Sequence, residues 1–225
     1  NLVSTFNADV FERSNKEVLK FLDLGSGPGS FTSLLNQYGQ VTCYDIDFGS
    51  LESIDPSSQT LRVQGNGVSL GFEDATFDAV FMITVLYHIK DDNKTLEEAY
   101  RVLKPGGSLF IVEPAFNIFK RAHDKHVHGL RRYKKKQLVK QIENAHFEVQ
   151  SSTYSKMQLA PFAFLLGIKE RLIKTSSYDS RSDLEVRGIE KYLVPLFAWW
   201  SKIEDKYCEK IKIPFGTSVI VSAKK

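Results

Sequence analysis

The sequence predicts an α/β fold built on a doubly wound, mostly parallel sheet of about seven strands. Short apolar runs bounded by turn residues alternate with amphipathic stretches of helical period along the chain. One of those runs, "FDAVFMIT", is apolar almost throughout, as a strand covered on both faces tends to be. A glycine-rich turn, "LDLGSGPG", leads the first run straight into a helix, and open sheets of this kind bind ligands at the carboxyl ends of their strands.

The elements follow in order. "VLKFLDLG" (Val18–Gly25) is a buried strand, and "FTSLLNQYG" reads as a helix closed by Gly39. "QVTCYDID" is a second strand, "TLRVQGNG" a third ending at Gly65, and "FDAVFMIT" a fourth. "NKTLEEAYRVLKPGG" is a helix with Leu96, Ala99, Tyr100 and Leu103 on one face, stopped by Pro105-Gly106-Gly107. "SLFIVEP" is a fifth strand, "KKKQLVKQIENAHFEVQSSTYS" a helix and then a strand, and "GTSVIVSAKK" the last strand. Between the final two strands, residues 156–213 are too many for a plain loop and are expected to form a helical insertion within a single domain over 1–225.

Composition narrows the function classes. Hydrophobic residues make up 42% and charged residues 25% of the 225, which is ordinary globular composition rather than disorder. A net charge of +3 does not by itself argue a nucleic-acid partner. Cys43 and Cys208 lack any C-x-x-C spacing, so neither a disulfide framework nor a zinc site is expected, and a reducing cytoplasm is. No signal peptide is visible, and "LAPFAFLLGI" and "YLVPLFAWW" are roughly half the ~20 residues a spanning helix needs.

The turn itself restricts the ligand. No lysine follows the glycines, so this is not a P-loop. Gly25, Gly27 and Gly29 read G-x-G-x-G rather than the dinucleotide G-x-G-x-x-G. Asp23, just before the turn, would repel a pyrophosphate and attract a cationic or zwitterionic ligand. Asp45, at the end of the second strand, suits a pair of ribose hydroxyls. Together they select a nucleoside without a required phosphate.

With these residues, the chain resembles the class I S-adenosylmethionine-dependent methyltransferases, in particular the small-molecule type 11 group. "LDLGSGPG", "YDID", "VQGNGVSLGFEDATFDAVFMITVLYHI" and "EEAYRVLKPGGSLFIVEP" carry the resemblance from about Val18 to Pro114. It implies a Rossmann-like sheet with an antiparallel last strand, S-adenosylmethionine as cofactor and S-adenosylhomocysteine as product. It also implies that Asp23, Gly25, Ser26 and Gly27 hold the amino-acid part, with Gly29 permitting close packing. Asp45 would hold the ribose, Ile46 would pack on the adenine, Asn66 and Gly67 would read the adenine edge, and Thr84 would lie beneath the methionine. Asn66 stands where the family usually has Asp, and its amide oxygen can still accept from an adenine amino group. Asp78 reads as a structural residue at a strand entry, Asp47 as a helix cap and Cys43 as a small core residue.

A reactive sulfonium leaves the protein chiefly with alignment and, for oxygen acceptors of high pKa, a general base. His88, with Tyr87 beside it in "TVLYHI", is the candidate base. The segment Phe119–Lys140 carries nine lysines and arginines against Asp124 alone, so its positive charge is local. Within it Arg131, Arg132 and Tyr133 are candidates to grip an anionic acceptor, with His128 close by as a catalytic candidate. His123, His126 and His128 lack partners at metal-ligand spacing, and no metal is expected. The insertion's apolar helices fit a lid or a peripheral membrane contact. These features point to methyl transfer to a small molecule, an oxygen of an anionic or amphipathic metabolite of a glycan or lipid pathway. A nucleic-acid methyltransferase and a non-catalytic binding protein on the same fold are the alternatives, the first weakened by the absence of an Asn-Pro-Pro-Tyr motif after the fourth strand.

Overall fold

The computed structural model describes residues 18–55, 60–173 and 213–225. Seven strands form one sheet: β1 (Leu19–Leu24), β2 (Gly39–Asp45), β3 (Thr60–Gln64), β4 (Phe77–Ile83), β5 (Leu103–Pro114), β6 (Glu148–Ser155) and β7 (Ser218–Lys224). Their order is β3-β2-β1-β4-β5-β7-β6. The first five pair in parallel, and β7 runs antiparallel between β5 and β6. The order reverses between β1 and β4, which opens a crevice at the carboxyl ends of those two strands.

Both faces of the sheet are apolar, and side-chain alternation explains how one strand serves both. Phe21, Ala79, Phe81 and Phe110 join one core cluster, while their neighbours Leu22, Val80, Met82, Leu109 and Ile111 join the other. Phe81 stacks on Phe110 and meets Phe21 edge-on. The helices covering the sheet are α1 (Thr32–Leu35), α2 (Phe48–Glu52), α3 (Asp92–Val102), α4 (Ala122–His126), α5 (Lys135–Asn144) and α6 (Ala160–Ile173). α3 buries Leu96, Ala99 and Val102, and α5 buries Leu138 and Ile142, the stripes that a 3.6-residue period predicts. Asp47 caps α2 through the backbone N–H groups of Gly49 and Ser50, as expected. Asp78 accepts from the Lys20 backbone N–H and from Lys104 Nζ, tying together the entries of β1, β4 and β5, and Cys43 is fully buried.

Two helix ends differ from expectation. α1 is a single turn, and Gly39 opens β2 instead of closing a helix, because a side chain there would meet the Leu19 carbonyl. α3 stops at Val102, so Leu103 belongs to β5 rather than to the helix face. Pro105 disfavours helix at the residue before it, and the chain passes straight into the strand with a register shift between Phe77 and Ala79. The expected insertion over 156–213 falls largely outside the described residues; its described part holds a 3₁₀ turn, Met157–Leu159, and α6. Among the described residues no helix is long and apolar enough to cross a membrane.

Candidate active site

A cavity of about 670 Å³ opens at the reversal of strand order, within the size range of small-molecule sites. Its floor is the turn after β1. Gly25 and Gly27 lie in the left-handed region, with φ of 73° and 52°. A side chain on Gly25 would strike Val85, so glycine lets the two crossing loops touch. Gly25 N and Ser26 N both donate to the Tyr44 carbonyl, which fastens this turn to the end of β2. Gly29, also left-handed, lies outside the cavity wall, packed against Ile54 and Thr32.

Two carboxylates face this floor from adjacent strands. Asp23 is 2% exposed, and its Oδ2 and the Ser26 Oγ make no hydrogen bond to any of the described residues. Burial, then the nearby Asp45 charge, pushes the Asp23 carboxyl up to about 7. Asp45 accepts from the backbone N–H groups of Gly27 at 2.8 Å and Asp47 at 2.9 Å, so its position is fixed from both sides. Ile46 follows on the rim, 69% exposed, an apolar surface turned to solvent beside the cavity.

The far wall comes from two loops. Asn66 and Gly67 line it, but Asn66 Oδ1 already accepts from Val68 N at 3.2 Å, leaving the oxygen one lone pair for a ligand. α3 holds this loop from behind: Glu98 accepts from Leu70 N, and Arg101 donates to the carbonyls of Leu70 and Phe72. Nothing in a single sequence marked Glu98 or Arg101 as a loop anchor. Thr84 lines the wall with φ of 56°, an unusual conformation for a β-branched residue. His88 stands at the rim, solvent-accessible, and its ring reaches the main chain of His128 and Val127. Desolvation outweighs these contacts and lowers its pKa below the ordinary histidine value.

Other expected residues lie elsewhere. Tyr87 turns into the core, where Gly129 packs against its ring, and burial pushes its hydroxyl up to about 12. It does not line the cavity, because the 3₁₀ turn Leu86–His88 points consecutive side chains in different directions. His128 stands outside the wall as well and meets His88 through its main chain. Tyr133 is fully buried and donates to Asp92 Oδ2 at 2.7 Å. Arg131 pairs with the same carboxylate at 2.8 Å and donates to the Lys90 carbonyl. Arg132 grips Asp124 through Nε and a terminal nitrogen, at 2.8 and 3.0 Å. Burial would raise the Asp124 carboxyl, yet the Arg132 guanidinium prevails and holds it below the usual range. Neither arginine is therefore free to grip an anion as the sequence suggested. The signal for this was the acidic partner of each, Asp92 and Asp124, and sequence spacing gave no means of matching them.

Comparison with known proteins bears on this geometry. Residues 22–111 match the family model described as a methyltransferase domain. The ubiquinone/menaquinone biosynthesis C-methyltransferase UbiE of Haemophilus ducreyi is 37% identical, over 44% of this chain and 43% of its own. The chain thus spans less than half the length of the curated relatives it matches. Among solved structures, the [4+2]-cyclase SpnF superposes with a TM-score of 0.60 at 22% identity, covering 96% of this chain and 79% of its own. The phosphoethanolamine N-methyltransferase 2 of Haemonchus contortus, solved with S-adenosyl-L-methionine, gives 0.59 at 20% identity, covering 97% of this chain and 52% of its own. These two share the fold. Over residues 22–111, the chain is similar to the type 11 family of class I S-adenosylmethionine-dependent methyltransferases.

Proposed function

We propose that this chain transfers a methyl group from S-adenosylmethionine to a small-molecule acceptor. One observation carries the reading: a buried carboxylate, Asp23, has an oxygen without a partner among the described residues, on the wall of a cavity floored by left-handed glycines. Such an oxygen suits a ligand ammonium group and repels a phosphate. The chain's groups fit the cofactor. Asp23 and Ser26 Oγ would take its amino-acid end, Asp45 its ribose hydroxyls, and the exposed side chain of Ile46 its adenine face. Asn66 and Gly67 would face the adenine edge. When bound, the cofactor supplies an electrophilic methyl group on a sulfonium.

His88 is then the chain's own contribution to acceptor chemistry. Its lowered pKa keeps the imidazole neutral at neutral pH, ready to accept a proton from an acceptor held at the rim. Removing a proton serves a hydroxyl and an activated ring carbon alike. The C-methyltransferase names of the sequence relatives favour carbon beside the oxygen acceptor that the sequence suggested. The engagement of Arg131 and Arg132 with Asp92 and Asp124 withdraws the main support for an anionic acceptor head and for a nucleic-acid groove.

Calorimetric titration with S-adenosylmethionine, S-adenosylhomocysteine and NAD, on wild type and Asp45→Ala, tests the cofactor. Micromolar binding of the two adenosyl compounds alone, lost in the variant, is expected. NAD binding, or no binding of either adenosyl compound, overturns the reading. An acceptor screen with His88→Ala then tests the base, with methyl transfer expected to fall by roughly 10²–10⁴-fold.

A further inference from the structure

Glu113 lies outside the cavity and has no part in the reading above, yet its buried carboxylate is held by three backbone donors of the loop that lines it. It is the penultimate residue of β5, fully buried, one residue before Pro114. Its Oε1 accepts from Val85 N at 3.0 Å and Leu86 N at 2.7 Å, and its Oε2 accepts from Tyr87 N at 3.2 Å. Three successive backbone donors of one loop therefore converge on a single side chain.

The backbone explains why they can converge. Thr84 is left-handed at φ 56°, and Val85 after it is right-handed, with φ −117° and ψ −42°. Adjacent residues of opposite hand turn their N–H groups toward one point and form a concavity for an anion. A β-branched residue adopts the left-handed conformation only at a cost, so something must hold it there. The Thr84 N–H donates to the Val112 carbonyl, and the next three N–H groups go to the neighbouring Glu113. Two consecutive residues of β5 thus fix the whole loop after β4.

That loop shapes the candidate site at two points. Val85 is the side chain against which Gly25 packs, so its placement sets the height of the glycine floor. His88 ends the 3₁₀ turn whose first N–H groups Glu113 holds. We propose that Glu113 is a positioning residue, which seats Val85 beneath the glycine turn and His88 at the cavity rim through the Thr84–Tyr87 backbone. This inference rests on the cofactor reading for its binding arm and stands on geometry alone for its spectroscopic arm.

The test uses the full chain with Glu113→Gln and Glu113→Ala. Gln keeps the volume and one acceptor oxygen, enough for Val85 and Leu86, but turns an NH₂ toward the Tyr87 N–H. Ala removes all three acceptors. The first readout is the NMR titration of the five histidines. In Glu113→Ala the His88 pKa is expected to rise toward the ordinary value as its turn opens; Gln gives a smaller rise. The second readout is calorimetric affinity for S-adenosylhomocysteine, expected to weaken at least tenfold in Ala and less than threefold in Gln. An unchanged His88 titration in both variants, together with affinities within twofold of wild type, overturns the proposal. If Glu113→Ala does not fold, Glu113→Gln decides alone through the His88 shift. Failure of wild type to bind S-adenosylhomocysteine overturns the cofactor reading instead and leaves the histidine readout to judge Glu113.

Discussion

Asp23 makes stability and binding pull in opposite directions, and Asp23→Asn separates them. Its carboxyl sits at about 7 in the folded chain, against an ordinary 3.8, chiefly because burial penalises the charge. A raised carboxyl pKa means the folded state holds a proton that the unfolded chain has released. Stability from this group is therefore fully present below pH 3.8 and is lost as pH rises through 7. Over that window the loss amounts to roughly 4 kcal/mol. Asn cannot ionise and escapes the loss, although its orphaned amide costs about 1–3 kcal/mol at every pH. The diagnostic is the difference between variant and wild type in urea denaturation, followed from pH 4 to pH 8.5. It should move in favour of Asp23→Asn by roughly 4 kcal/mol across that range. Glu113, whose carboxyl burial pushes up to about 8, titrates in both proteins and cancels. Binding should move the other way. Losing a charged partner for an ammonium group costs about 1.5–3 kcal/mol, so S-adenosylhomocysteine affinity at pH 8.5 should drop roughly ten- to hundredfold. A stability difference that is flat with pH, or that shifts toward wild type, would show that Asp23 is charged and paired in the native state and would refute the reasoning.

Three further outcomes follow from the geometry. Arg132→Met strands the Asp124 carboxylate in a buried position and should cost about 3–5 kcal/mol in urea denaturation; a loss near zero would mean the pair is solvent-screened. Gly25→Ala adds a side chain in a left-handed position already filled by Val85, so calorimetry should find S-adenosylhomocysteine binding at least tenfold weaker; unchanged affinity would mean the two loops yield easily. Asp47→Ala removes the cap of α2 and should lower the thermal midpoint while leaving that affinity within twofold, since among the described residues the Asp47 carboxylate bonds only to its own helix start.

That the glycine turn, Asp23 and Asp45 gather at one cavity was legible because their signals are local. The glycines, Asp23 and Asp45 announce themselves by residue type within a short stretch, and strand periodicity places them at the same sheet end. Helix ends were less legible where two rules compete. Pro105-Gly106-Gly107 reads as a helix stop, yet the proline acts on the residues before it, and the helix gives way already at Val102. Gly39 reads as a helix close, yet its lack of a side chain serves the approach of the Leu19 carbonyl.

The basic segment failed for a different reason, and that reason says where the charge of this protein acts. Arg131, Arg132 and Tyr133 look like an anion grip because their partners are remote in sequence: Asp92 begins α3, and Asp124 lies in α4. Each carboxylate is nearly fully buried, so each requires a compensating cation, and the two adjacent arginines supply one apiece. The backbone completes the arrangement, since Tyr133 N donates to the Pro114 carbonyl and Phe116 N to the Tyr133 carbonyl. The segment is thereby stitched to the end of β5 immediately after Glu113, the residue that holds the His88 loop. What the sequence presents as a ligand-seeking patch is thus a brace for the end of β5, behind the loop that carries His88. Disturbing Arg132 should accordingly reach the His88 rim through β5, whereas it would touch only an anion's affinity if the guanidinium were a grip.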